Sequence, residues 1–128
     1  MKDRILVIDD DENMIRLLDL VLKDEYEVEK AGNLEEAKAA ISKNEFDLML
    51  LDLKLGGEDG TELISYIRDE MSLTWVPLMI LSGKAKSDDR IKCFEKGADD
   101  YMIKPFNPVE LKHRIKRHID KYTLIKKG

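Results

Sequence analysis

The chain has 128 residues, 43% hydrophobic and 38% charged, with a formal net charge of -5; that is one domain with a real core, and the acidic balance argues against nucleic-acid binding by this chain alone. Its single cysteine, Cys93, excludes an intrachain disulfide and fits a reducing, cytoplasmic setting. No apolar run reaches transmembrane length and the N-terminus lacks a signal peptide's apolar region, so no membrane contact is expected.

Arg4-Ile-Leu-Val-Ile8 reads as a strand covered on both faces, and it ends on Asp9 and Asp10. Met14, Ile15, Leu18, Val21 and Leu22 then repeat at helical spacing. Glu27–Ala31 is a weaker strand, suited to a position near the sheet edge. Asn33 with Glu36 forms a capping box ahead of a helix carrying Leu34, Ala37 and Ile41. Asp47 leads into Leu48–Leu51, a second fully apolar strand, which ends on Asp52. The loop Lys54-Leu-Gly-Gly-Glu-Asp-Gly60 leads to a helix with Leu63, Ile64, Ile67 and Met71 inward. Pro77-Leu-Met-Ile-Leu81 is a strand ending on Ser82, and Ile91, Phe94 and Ala98 mark the next helix. Cys93 lies in that helical pattern and reads as a small buried apolar residue rather than a nucleophile. Asp100-Tyr-Met-Ile103 is the last, weaker strand and is followed by Lys104. Asn107, Pro108 and Glu110 supply a cap, a helix-first proline and an acid for a final helix carrying Leu111, Ile115, Ile119 and Tyr122. From Lys112 onward stand seven Lys or Arg and one acid, Asp120, which read as the solvated face of that helix and a frayed tail. Residues 1–122 form the domain, and 123–128 a tail or the start of a linker.

The alternation predicts five β–α units, right-handed crossovers and a parallel sheet. Parallel strands align their C-terminal ends on one edge, where open α/β sheets bind ligands. Asp9, Asp10, Asp52, Ser82 and Lys104 then converge from distant segments. Three carboxylates in one pocket repel one another unless a cation lies between them.

Five segments in order, Ile5-Leu-Val-Ile-Asp-Asp10, Asp47-Leu-Met-Leu-Leu-Asp52, Gly60, Leu81-Ser82 and Gly97-Ala-Asp-Asp-Tyr-Met-Ile-Lys-Pro-Phe106, carry a resemblance. From about Arg4 to Tyr122 the chain resembles the receiver domain of bacterial two-component response regulators, nearest in pattern to those attached to winged-helix DNA-binding domains. The resemblance implies a flavodoxin-like (βα)5 doubly wound sheet of order 2-1-3-4-5. It implies that Asp52 accepts a phosphoryl group from a sensor histidine kinase, with Mg2+, or Mn2+ in its place, held by Asp10, Asp52 and the backbone carbonyl of Lys54. Asp9 acts on the metal largely through water. Such a domain catalyses only its own phosphorylation and slow dephosphorylation. Lys104 and Ser82 bind phosphoryl oxygens, Tyr101 turns inward as the switch, and Lys104–Pro105 is a cis peptide.

The output face implied is the helix after Ser87, the last strand and the last helix. There Arg90 with Glu110, Asp100 with Arg114, and Glu95 with Lys116 resemble cross-dimer ion pairs of a phosphorylation-favoured homodimer. The same charges also read as ordinary exposed residues of small stability value. Nucleic acid would be reached only through an effector domain that this chain does not contain. Gly56 departs from the pattern, which commonly places proline there; the glycine predicts a more flexible loop when unphosphorylated, which bears on metal affinity and not on the fold. Lys54 and Lys84, each two residues beyond a site residue, read either as solvated lysines or as ammonium groups that shield the acyl phosphate and slow its loss.

Two other functional classes find less support. An aspartate-nucleophile phosphatase usually carries an acid two residues after its nucleophile, where this chain has Lys54. A flavin-binding protein needs a Ser/Thr/Gly-rich phosphate loop after the first strand, and Asp9-Asp-Asp-Glu12 would repel the phosphate.

Overall fold

The computed structural model describes residues 2–84 and 86–127, the side chains of Lys126 and Lys127 excepted. Five parallel strands form the main sheet: β1 (Asp3–Ile8), β2 (Tyr26–Ala31), β3 (Leu48–Leu51), β4 (Leu78–Ser82) and β5 (Asp100–Ile103). Their order across the sheet is 2-1-3-4-5, as the resemblance implies. The helices are α1 (Glu12–Leu22), α2 (Leu34–Lys43), α3 (Thr61–Ser65), α4 (Ser87–Lys96) and α5 (Pro108–Lys127). A π-helical turn, Tyr66–Glu70, continues α3. The last helix runs through residues 123–127 without a break.

The fully apolar strands feed two cores because successive side chains point to opposite faces. Ile5, Val7, Leu48, Leu50, Met79 and Leu81 pack with Leu18 and Leu22 of α1 and Leu111, Ile115 and Ile119 of α5. Leu6, Ile8, Met49, Leu51 and Ile80 pack on the other face with residues of α2 and α3. The caps match the sequence signals. Asn33 Oδ1 accepts the Glu36 N–H at 2.8 Å, and Asn107 Oδ1 accepts the Val109 N–H at 2.9 Å.

One helix differs from its sequence pattern. Cys93 is the buried residue of α4, while Ile91 and Phe94 are 51% and 46% exposed and Ala98 lies beyond the helix. Ile91 and Phe94 therefore mark an outward apolar strip, while Ala98 is buried in the core. A single small side chain suffices inward, where α4 lies over the sheet.

The loop after Asp52 also differs. Lys54–Leu55 pairs antiparallel with Glu58–Asp59 across Gly56-Gly57, whose φ values are +56° and +90°. Two positive φ values suit a primed hairpin turn. Leu55 is fully buried and anchors the hairpin. Gly60 closes it: its N–H donates to the Leu53 carbonyl at 2.8 Å, and a Cβ there would stand 2.7 Å from the Asp52 carbonyl oxygen.

Candidate functional site

Strand register brings the site together. The N–H groups of Asp9, Asp52 and Lys104 donate to the carbonyls of Ala31, Ile8 and Ser82, continuing the ladders one step past the strands. Asp9, Asp10, Asp52, Ser82 and Lys104 thus stand at strand tips on one edge. Carboxylate oxygens of Asp9, Asp10 and Asp52 lie within 4.8 Å of one another. Lys104 Nζ donates to Asp9 Oδ2 at 2.8 Å and to Asp52 Oδ2 at 3.0 Å.

The three acids are held differently. Asp9 is buried and accepts the Asp11 N–H at 3.0 Å. Asp52 is buried and accepts the Lys54 N–H at 3.3 Å. Asp10 is exposed and accepts the Gly56 N–H at 2.8 Å. Asp11 is the helix cap, accepting from Asn13 and Met14, which leaves Asp10 out of that role.

Burial pushes the Asp9 carboxyl above the ordinary carboxylate range, even against its bond to Lys104. Burial also opposes the charge on Lys104, but hydrogen bonds to Asp9 and Asp52 outweigh it and hold the ammonium above its usual range. One ammonium leaves two ionised carboxylates short of neutral, and the third carboxylate adds a further uncompensated negative charge. The donor set is all oxygen, partly open to solvent, and Asp10 is not engaged by Lys104. These features fit a hard divalent cation such as Mg2+.

The remaining site residues flank this cluster. Ser82 is buried, and its Oγ accepts the Lys84 N–H at 3.2 Å. Tyr101 is buried, with its hydroxyl donating to the Lys84 carbonyl at 2.8 Å. Lys104–Pro105 is cis. Lys54 and Lys84 line one surface cavity of about 300 Å3, together with Glu58, Asp59 and Lys92.

On the outer face, Asp100 is partnered within the chain. Its carboxylate receives Arg114 at 3.0 Å and faces His118 Nε2 at 3.0 Å, and Arg114 also reaches Glu110 at 3.0 Å. Burial opposes ionisation of Asp100, but its bonds to His118 and the Tyr101 N–H, and the charge of Arg114, hold its carboxyl below the usual range. Lys116 pairs with Asp120 at 3.1 Å, and Arg90 lies 3.5 Å from the Ser87 hydroxyl. Glu95 is exposed on α4. Sequence reasoning did not single out His118. The available signal was its position four residues after Arg114, on the same face of α5.

Comparison with known proteins identifies the family of this chain. Residues 5–116 match the family model described as the response regulator receiver domain. The regulatory protein VanR of Enterococcus faecium is 40% identical over 95% of this chain and 52% of its own length. The transcriptional regulatory protein ResD of Bacillus subtilis is 40% identical over 88% of this chain and 46% of its own. The chain spans about half the length of the curated relatives it matches. A crystallised CheY-like receiver domain protein of Methanospirillum hungatei superposes with a TM-score of 0.91 at 32% identity, covering 100% of both chains.

Proposed function

The chain belongs to the response regulator receiver domain family, a family of phosphorylation-dependent signalling domains, and on that premise we propose that Asp52 is its phosphoryl acceptor. The donor is the phosphohistidine of a sensor histidine kinase. A carboxylate oxygen of Asp52 forms a bond to phosphorus while the phosphorus–nitrogen bond to the donor imidazole breaks. The observation that carries this reading is the Lys104 ammonium bridging Asp9 and Asp52 inside a cluster of three carboxylates.

Asp10, Asp52 and the Lys54 carbonyl would hold Mg2+ or Mn2+, with Asp9 acting through water. The metal would neutralise phosphoryl oxygens during transfer. Lys104 is already within reach of the acceptor and moves from carboxylate to phosphoryl oxygens as charge develops there. Ser82 donates its hydroxyl proton to another phosphoryl oxygen. Tyr101 links that event to the output face, because its hydroxyl is bonded to the backbone two residues beyond Ser82. The state with Tyr101 inward is stabilised when the β4–α4 loop closes on the acyl phosphate.

The domain catalyses its own phosphorylation and slow dephosphorylation, and no reaction on an external substrate. The output surface is α4, β5 and α5, which pairs with a second copy after phosphorylation. Control of transcription would pass through an effector domain, in a cytoplasmic setting.

Incubation with acetyl phosphate and Mg2+, followed by intact mass measurement, tests the core of this reading. A single phosphate adduct is expected on the wild type and none on Asp52→Asn. An adduct that persists in the variant, or none on the wild type, overturns it.

A further inference from the structure

Gly56 lies far from Asp10 in sequence, yet its N–H donates to Asp10 Oδ2 at 2.8 Å. Lys104 holds the other two carboxylates of the cluster. Among the described residues, Gly56 is the only group that donates a hydrogen bond to the Asp10 side chain. Without it, an exposed aspartate on the β1–α1 loop would sample several rotamers.

The donor is itself fixed. Leu55 is fully buried beside it, the Gly60 N–H closes the loop on Leu53, and Glu58 Oε1 accepts the Leu34 N–H at 3.4 Å. The bond requires a backbone with positive φ and a free N–H at position 56. Proline supplies neither, because its ring fixes φ near about -65° and removes the donor.

We propose that the Gly56 N–H is a positioning group of the metal site, holding the Asp10 carboxylate in place before the cation arrives. A carboxylate that accepts one N–H retains lone pairs for a metal. The rotamer freedom of Asp10 is then lost on folding rather than on binding, which raises affinity. The N–H dipole also relieves repulsion among the three acids. The loop that departs from the family pattern would thus strengthen metal binding rather than weaken it. This inference rests on the reading of Asp10 as a metal ligand.

Mg2+ titration by calorimetry on wild type, Gly56→Pro and Gly56→Asn tests it. Asparagine keeps the N–H and tolerates positive φ, and an added Cβ would meet only Asp10 Oδ2, at 4.0 Å. Gly56→Pro should raise the Mg2+ Kd about three- to tenfold, the size expected for losing one hydrogen bond to a charged group that is partly solvent-exposed. Gly56→Asn should stay within about twofold of wild type. Wild type that takes up no Mg2+ overturns the metal reading itself. Wild type that binds while Gly56→Pro matches it overturns the role of Gly56 alone. Amide hydrogen exchange on metal-free wild type covers the case in which the proline variant does not fold. Gly56 should exchange at least about tenfold more slowly than Gly57, and equal rates reject the proposal.

Discussion

Lys104 Nζ stands 3.0 Å from Asp52 Oδ2, joining the tip of β5 to the tip of β3, and the same ammonium reaches Asp9 on β1 at 2.8 Å. Three strands, β1, β3 and β5, are therefore tied at their C-terminal ends by one side chain that reaches past β4. The tie is electrostatic, so whatever enters the carboxylate cluster must compete with it or share it.

Lys104→Met should destabilise the metal-free protein by about 1–3 kcal/mol. Breaking a fully buried pair costs more, and this one retains some access to solvent. With the ammonium gone, Mg2+ relieves more repulsion. The rise in Tm on adding Mg2+ should exceed that of wild type in differential scanning calorimetry. A smaller rise means that Lys104 does not share the cluster's charge with the cation.

Lys54 and Lys84, each two residues beyond a site residue, line the same cavity. If their ammonium groups shield the acyl phosphate, Lys54→Asn and Lys84→Ala should each shorten its lifetime about two- to fivefold, a charge effect below ~1 kcal/mol. Loss of the phosphate adduct followed by mass measures this directly. Unchanged or slower loss leaves them as two solvated lysines.

The sheet is legible in the sequence because its strands are covered on both faces and therefore wholly apolar. Continuous blocks such as Leu48–Leu51 have no competing helical reading at that length. Acids and a lysine at strand tips are legible for the same reason, since parallel strands align those tips. The inward face of α4 is legible only at Cys93, which reads as buried and is. Ile91 and Phe94 repeat at helical spacing, but only Cys93 turns toward the sheet. Periodicity reports that an apolar strip exists, not what covers it. The hairpin at 54–59 is also hidden, because sequence marks Gly56-Gly57 as permissive without saying which φ each adopts. The Gly56 bond to Asp10 and the His118 contact with Asp100 depend on that tertiary placement.

The uncovered strip gives the homodimer reading a sharper test than its ion pairs do. Asp100 and Arg114 already satisfy one another within the chain, whereas Ile91, Phe94 and Val109 of α4 and α5 are 51%, 46% and 63% exposed. Phe94→Glu should leave stability within about 0.5 kcal/mol, as for an ordinary surface change. Beryllofluoride with Mg2+ should shift wild type toward dimer in light scattering and leave Phe94→Glu monomeric. A variant that still dimerises places the interface elsewhere.

The opposite end of the sheet is held by a second charged hub, and its pH response can be worked out. The Tyr122 hydroxyl donates to Asp99 Oδ1 at 2.6 Å, while Asp99 Oδ2 accepts from Arg68 and from the Leu78 N–H, both at 2.8 Å. Arg68 also donates to the carbonyls of Gly97, Leu73 and Val76, so the hub ties α5 to β4, to the entry of β5 and to the π turn. Burial, followed by the Asp99 bond, pushes the Tyr122 phenol up to about 12. Its unfolded value is about 10, so the folded state holds this proton more tightly. The contribution is complete below about pH 10 and is lost as pH rises toward about 12. Tyr122→Phe should cost about 1–2 kcal/mol at pH 7, a hydrogen bond to a charged group discounted for partial exposure. In urea titrations at rising pH, the gap between wild type and variant should narrow above about pH 10. A gap that stays constant there means that the phenol is not coupled to Asp99 in solution.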